Sequence, residues 1–183
     1  MGIVLMKYKN ELIKSMSFLG KKKDTFFLGQ SVSYSGNAIY NTLTEVPLRK
    51  KIELPVFEDV QMGMSIGMAL NGFVVITCFP RFDFLICAMN QLVNHLDKIR
   101  KMSRGEIKPK VLIRTSIGSK RPLDGGPQHT QNYTDEMKKI LSEIKVIFLN
   151  KPEIIFPSFK NAYEDKKSHS YLFVEHGDFY NDK

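Results

Sequence analysis

Six short apolar segments rich in β-branched and aromatic residues alternate with helical stretches along this 183-residue chain, and that alternation restricts the fold more than any other property. The strand-like segments fall at 25–28, 51–54, 73–79, 110–114, 145–149 and 170–175. Helical periodicity is read at 4–19, 59–71, 83–102, 133–142 and 152–163. Strands separated by helices cannot pair as tight hairpins, so the pattern predicts an α/β fold: a mostly parallel sheet of about six strands with helices on both faces. The first helix puts Tyr8, Leu12, Ile13, Met16 and Leu19 on one face and ends at Gly20 and a lysine run, so 1–23 reads as an N-terminal helix and basic turn. The stretch 83–102 aligns Phe84, Leu85, Ala88, Met89, Leu92, Val93, Leu96 and Ile99, with Asp83 as the expected N-cap.

With 43% apolar and 25% charged residues, no repeat and no interior linker, residues 1–183 read as one domain with a single core. No apolar run approaches the roughly 20 residues of a membrane span. MGIVLM is too short for a signal peptide, and a cytoplasmic location is expected. Cys78 and Cys87 lie in apolar contexts and read as reduced core residues. The four histidines show no metal-ligand spacing. Net charge is +8, gathered at 21–23, 49–51, 98–104 and 108–110. Those clusters fall at predicted helix ends and loops, only six of the 27 cations are Arg, and no aromatic RNA-binding motif is present. The charge therefore reads as a solvated surface, or a match for an acidic protein subunit, in preference to a nucleic-acid site.

The stretch 55–72, PVFEDVQMGMSIGMALNG, sets Glu58 before Gly63, Gly67 and Gly72. Gly63 and Gly67, four apart on a helix, share a face that admits close approach of another backbone. This pattern resembles the pyrimidine-binding domain of thiamine-diphosphate enzymes, closest to the beta subunit of 2-oxo acid (pyruvate) dehydrogenases. FFLGQSVSYSG at 26–36 is similar to that family's "FLLGEDV…YGG", and PVFE to its "PISE". FPRFDFLICAMNQLVNHLDK at 79–98 and VLIRTSIG…GGPQHTQ at 111–131 resemble its "F…F…A.DQ..N..AK" and "..R.P.G…QHSQ". Order and spacing hold from about 24 to 180.

The resemblance implies a thiamine-diphosphate-binding fold and a role for named residues. Glu58 would hydrogen-bond a ring nitrogen of the cofactor's aminopyrimidine, Phe84 would stack on that ring, and Gln30 would line the cofactor site. His129 would donate to a substrate carboxylate or to the oxygen of the substrate-derived intermediate. Pro55, Val56 and Phe57 beside Glu58 are apolar, and their desolvation is expected to favour its neutral carboxyl. Each residue also has a plainer reading: Glu58 as a favourable charge in a first helical turn, Phe84 as core, His129 as a solvated loop histidine. Arg114 is expected to pair with a carboxylate within the fold. The chain departs from the family at Gln30, where an acid is usual and where an amide cannot exchange a proton at neutral pH, and at Val60, where Gly is usual. The segment 40–55 is shorter, so the pocket rim is expected to differ.

The chain ends at Lys183 without the family's second domain, and Gly177-Asp178 begins only an echo of the Gly-Asp-Gly…Asn motif that holds magnesium and diphosphate. No metal ligand is therefore assigned to this chain. The implied function is a beta-like subunit of a split thiamine-diphosphate enzyme that decarboxylates a 2-oxo acid or transfers the resulting active aldehyde. An alpha-type partner would bind the diphosphate and Mg2+, in a heterodimer or heterotetramer. The alternative is a non-catalytic structural or regulatory partner derived from such a subunit.

Overall fold

The computed structural model describes residues 7–121 and 123–181. Its centre is a six-stranded sheet in the order β2-β1-β3-β4-β6-β5. The strands are β1 (Thr25–Gly29), β2 (Lys51–Glu53), β3 (Val74–Phe79), β4 (Val111–Ile117), β5 (Lys145–Leu149) and β6 (Tyr171–His176). All five pairings are parallel. Every residue of β3 and β4 is buried, as both-face coverage requires.

Helices α1 (Tyr8–Gly20) and α6 (Pro152–Glu164) cover one face. There Tyr8, Leu12, Met16 and Leu19 pack with Ile155 and Phe159 over Phe27, Leu112 and Phe173. The opposite face carries α2 (Glu58–Leu70), the helical run that begins with α3 (Phe82–Leu85) and ends with α4 (Asp97–Met102), and α5 (Thr134–Ile140). Met62, Ile66, Leu85, Leu92, Leu96 and Met137 pack there over Val75, Ile113 and Val174. Of the helix expected at 4–19, residues 4–6 lie outside the described residues. Among the described residues no helix is long and apolar enough to cross a membrane, and no cluster of His, Cys, Asp and Glu has the makings of a metal site.

Three expectations need correction. Asp83 does not cap its helix: α3 starts at Phe82, Arg81 holds the cap position without a side-chain cap bond, and Asp83 sits inside the first turn. The stretch 83–102 is not a uniform α-helix, since it tightens over Ile86–Ala88 and widens into π-type turns over Asn90–Leu96. Cys87 is exposed, not core, because the helix turns it away from the sheet; Cys78 is buried on β3, which pushes its thiol up to about 11.

The strand order reverses at β1 and β3, because the chain leaves β1 for β2 on one side and proceeds through β3 on the other. A crevice opens at such a switch point, beyond the carboxyl ends of the strands. Gly29 makes the junction tight. Its φ is +150°, and a Cβ there would lie 2.4 Å from the Cys78 carbonyl oxygen.

Candidate functional site

A cavity of about 310 Å³ opens at that crevice. Its walls come from the residues that follow four strands: Gln30 after β1, Pro80 and Arg81 after β3, Gly118 and Ser119 after β4, and Tyr180 after β6. Glu58, Phe84 and His129 line the same cavity, so all four residues expected to form the site are neighbours here. Sequence separation hid this, since His129 comes 99 positions after Gln30, and only the parallel sheet gathers their loops at one edge.

Each wall is held by identifiable bonds. Glu53, at the end of β2, accepts hydrogen bonds from the backbone N–H groups of Ser31, Val32 and Ser33, the last two at 2.9 Å. That carboxylate shapes the turn after β1, where Ser31 has a positive φ of 53°. The Asn37 side chain donates to the Gln30 carbonyl at 3.0 Å and fixes the next part of the rim. Glu58 is the first residue of α2 and half-buried. One turn on, the buried Gln61 amide donates to Thr77 Oγ1 at 2.8 Å and to the Cys78 carbonyl at 3.0 Å, locking the start of α2 onto β3.

Phe84 presents its ring to His129, with centroids 5.3 Å apart and planes at 84°. The loop that carries His129 is drawn tight: its N–H donates to the Gly126 carbonyl, and a Cβ on Gly125 would come within 2.7 Å of the His129 Cβ. His129 Nδ1 is shielded from solvent with no partner among the described residues. An imidazole nitrogen left so is free to bond a bound molecule.

The desolvation expected at Glu58 is not supplied by its neighbours. Val56 and Phe57 are 65% and 59% exposed, because the segment that leads into α2 turns them outward at the rim. The Gly63 and Gly67 face is also open: the atoms nearest a Cβ at Gly63 belong to the Gln91 side chain, and nothing lies within 4 Å at Gly67.

Beneath the cavity lies a charged layer that the sequence showed only in part. Arg114 Nε and Nη2 donate to the Glu175 carboxylate at 2.6 and 2.9 Å, with both residues wholly buried, as expected for a strand arginine. Burial opposes the Arg114 charge, but Glu175 outweighs it and holds the guanidinium protonated. Tyr180, which lines the cavity, donates to the same carboxylate. Burial, with Glu175 next, raises its phenol well above the ordinary range. Asp178, the echo of a metal motif, accepts from the N–H groups of Lys120 and Arg121 and serves to fix that loop. Sequence reasoning missed Glu53, Gln61 and Arg81, although Gln61 and Arg81 fall within the stretches 55–72 and 79–98. For Gln61 the one available signal was its place a turn after Glu58.

The chain is 28% identical over 160 residues to the pyruvate dehydrogenase E1 component subunit beta of Gracilaria tenuistipitata var. liui, a match that takes in 85% of this chain and 48% of the relative. The chain is thus similar in sequence to a 2-oxo acid dehydrogenase beta subunit over most of its length. The mitochondrial subunit of Saccharomyces cerevisiae is 29% identical over 119 residues, covering 63% of this chain and 32% of that protein. A 3-methyl-2-oxobutanoate dehydrogenase subunit beta from Mycobacterium tuberculosis is 30% identical over 101 residues, covering 55% and 28%. The chain thus spans about half the length of the first of these curated relatives and less of the others. Among solved structures, a split gene transketolase described as an inactive beta4 tetramer superposes with a TM-score of 0.71 at 14% identity, over 94% of this chain and 52% of that one. That likeness shows a shared α/β fold. No family model matches the chain.

Proposed function

We propose that this chain is the pyrimidine-binding, beta-like subunit of a split thiamine-diphosphate enzyme of the cytoplasm, acting on a 2-oxo acid or a ketose with a separate alpha-type subunit. The observation that carries this reading is the meeting of Glu58, Phe84, His129 and Gln30 around one cavity at the switch point of the sheet.

The residues present fit an aminopyrimidine. Glu58 and the Phe84 ring line the cavity wall, and His129 Nδ1 has no partner among the described residues. When bound, thiamine diphosphate supplies a carbon nucleophile for the substrate carbonyl. Glu58 would hold a ring nitrogen of the pyrimidine through its carboxyl and would take up and release a proton there. Phe84 would orient the ring by an aromatic contact, typically worth about 0.5–1.5 kcal/mol beyond burial. His129, held by its tight loop, donates to the substrate oxygen on which negative charge gathers. Gln30 supplies an amide that orients without exchanging protons. The partner would carry the ligands for diphosphate and Mg2+ and would pack on the open Gly63/Gly67 face, where the exposed Val60 and Met64 also lie.

Calorimetry tests the division of labour. The lone chain should bind thiamine diphosphate weakly or not at all, and an alpha-type subunit with Mg2+ should restore binding. Micromolar affinity of the lone chain would contradict the split-site reading. The second reading, a non-catalytic derivative, is favoured by Gln30, which cannot relay a proton where the family has an acid.

A further inference from the structure

We propose that Arg81 anchors the carboxylate of a monoanionic substrate, which assigns the cavity to 2-oxo acids in preference to ketose phosphates. The inference rests on the enzymatic reading above and adds a substrate class and a residue to it.

Arg81 follows β3 directly and lines the same cavity as Glu58 and His129. Its Nη1 donates to the Gly118 carbonyl, which holds the guanidinium against the opposite wall. Among the described residues it forms no ion pair. A guanidinium carries five N–H donors in a rigid fork, so fixing one leaves an edge that matches the two oxygens of a carboxylate. Ser119 and His129, lining the same cavity, supply further donors.

Charge decides between the two kinds of anion. Among the described lining residues Arg81 is the one permanent cation and Glu58 the one carboxylate. A single guanidinium balances a carboxylate. A phosphate ester carries about −1.5 to −2 at neutral pH and would leave negative charge unmatched in a cleft that already holds Glu58. The adjoining Lys120 and Arg121 are exposed and do not line the cavity; Asp178 pins their backbone N–H groups.

The test is a titration of the full chain, followed by backbone amide NMR, with oxamate as a carboxylate probe, pyruvamide as a neutral analogue and inorganic phosphate as a dianion. In the wild type, oxamate should give saturable shifts confined to residues around Arg81, Gly118 and His129, while pyruvamide gives none and phosphate saturates more weakly. Arg81→Met should weaken oxamate binding by about 10- to 100-fold, the worth of a charge-assisted hydrogen bond, and Arg81→Lys by less. Arg81→Gln keeps a donor toward the Gly118 carbonyl and replaces the Met variant if that one does not fold. Equal oxamate binding in wild type and Arg81→Met, tighter binding of phosphate, or no saturable oxamate response would each overturn the proposal. Cofactor uptake by the complex with an alpha-type subunit is measured separately. Oxamate held through Arg81 without cofactor uptake would retain the anchor and remove the enzymatic reading, whereas cofactor uptake without an oxamate response would remove the anchor alone.

Discussion

Glu58 stands where a helix end and a cavity share one carboxyl, and the two roles separate under a one-atom change. Glu58→Gln keeps the size and a hydrogen-bonding group but removes proton exchange. Turnover of the reconstituted enzyme is expected to fall by about 10²–10⁴-fold. Thermal stability should change by no more than about 1 kcal/mol, the worth of a charge at a helix start. Unchanged turnover with lower stability would leave Glu58 a helix-end charge. Glu175 behaves in the opposite way. Glu175→Gln leaves the wholly buried Arg114 without its counter-charge, so equilibrium unfolding in urea should show a loss of about 3–5 kcal/mol. The Arg114 pairing was legible because a charged residue inside an apolar strand must find a partner, although its identity was not. Arg81 was not legible, since its meaning depends on Gly118 lying across the cleft, 37 positions along the chain.

At the scale of elements, the strands were readable because short apolar segments bounded by polar turns leave few other solutions. The winding of 82–102 was not, because apolar spacing hardly distinguishes α from π turns. The anchor that joins this run to the far edge of the sheet was also invisible. Asp97, buried at the start of α4, accepts from the N–H groups of Ser142, Glu143 and Ile144 at 2.8–3.1 Å and from the Ser142 hydroxyl at 2.9 Å. Burial opposes its ionisation, but those bonds and Lys98 hold its carboxyl below the usual range. Asp97→Ala strands several backbone donors at once and is expected to cost about 2–4 kcal/mol. Hydrogen exchange should localise the loosening to 142–149, and uniform protection there would refute the assignment of Asp97 as the anchor of that segment.

Across the whole molecule one group of lysines lies at the opposite edge of the sheet from the site. The cavity occupies the carboxyl edge of the sheet, whereas Lys21, Lys22, Lys108, Lys110, Lys145 and Lys167 gather where strands begin. Several are engaged locally: Lys110 donates to the Tyr163 and Asp165 carbonyls, and Lys145 pairs with Asp165. Binding of DNA or RNA should accordingly be non-specific and fall about tenfold or more between roughly 50 and 200 mM salt in a filter or anisotropy assay. Selective binding that survives physiological salt would show a nucleic-acid site instead. The buried ion pair has a consequence for this whole sheet as well. Strands β4 and β6 are buried along almost their whole length on both faces, so a one-residue slip would forfeit little burial by itself. Arg114 and Glu175 do not tolerate it. A slip would send the two charges to opposite faces, each unmatched in an apolar layer, so the pair acts as the index mark that allows only one alignment of the central strands and, through it, one arrangement of the loops at the carboxyl edge.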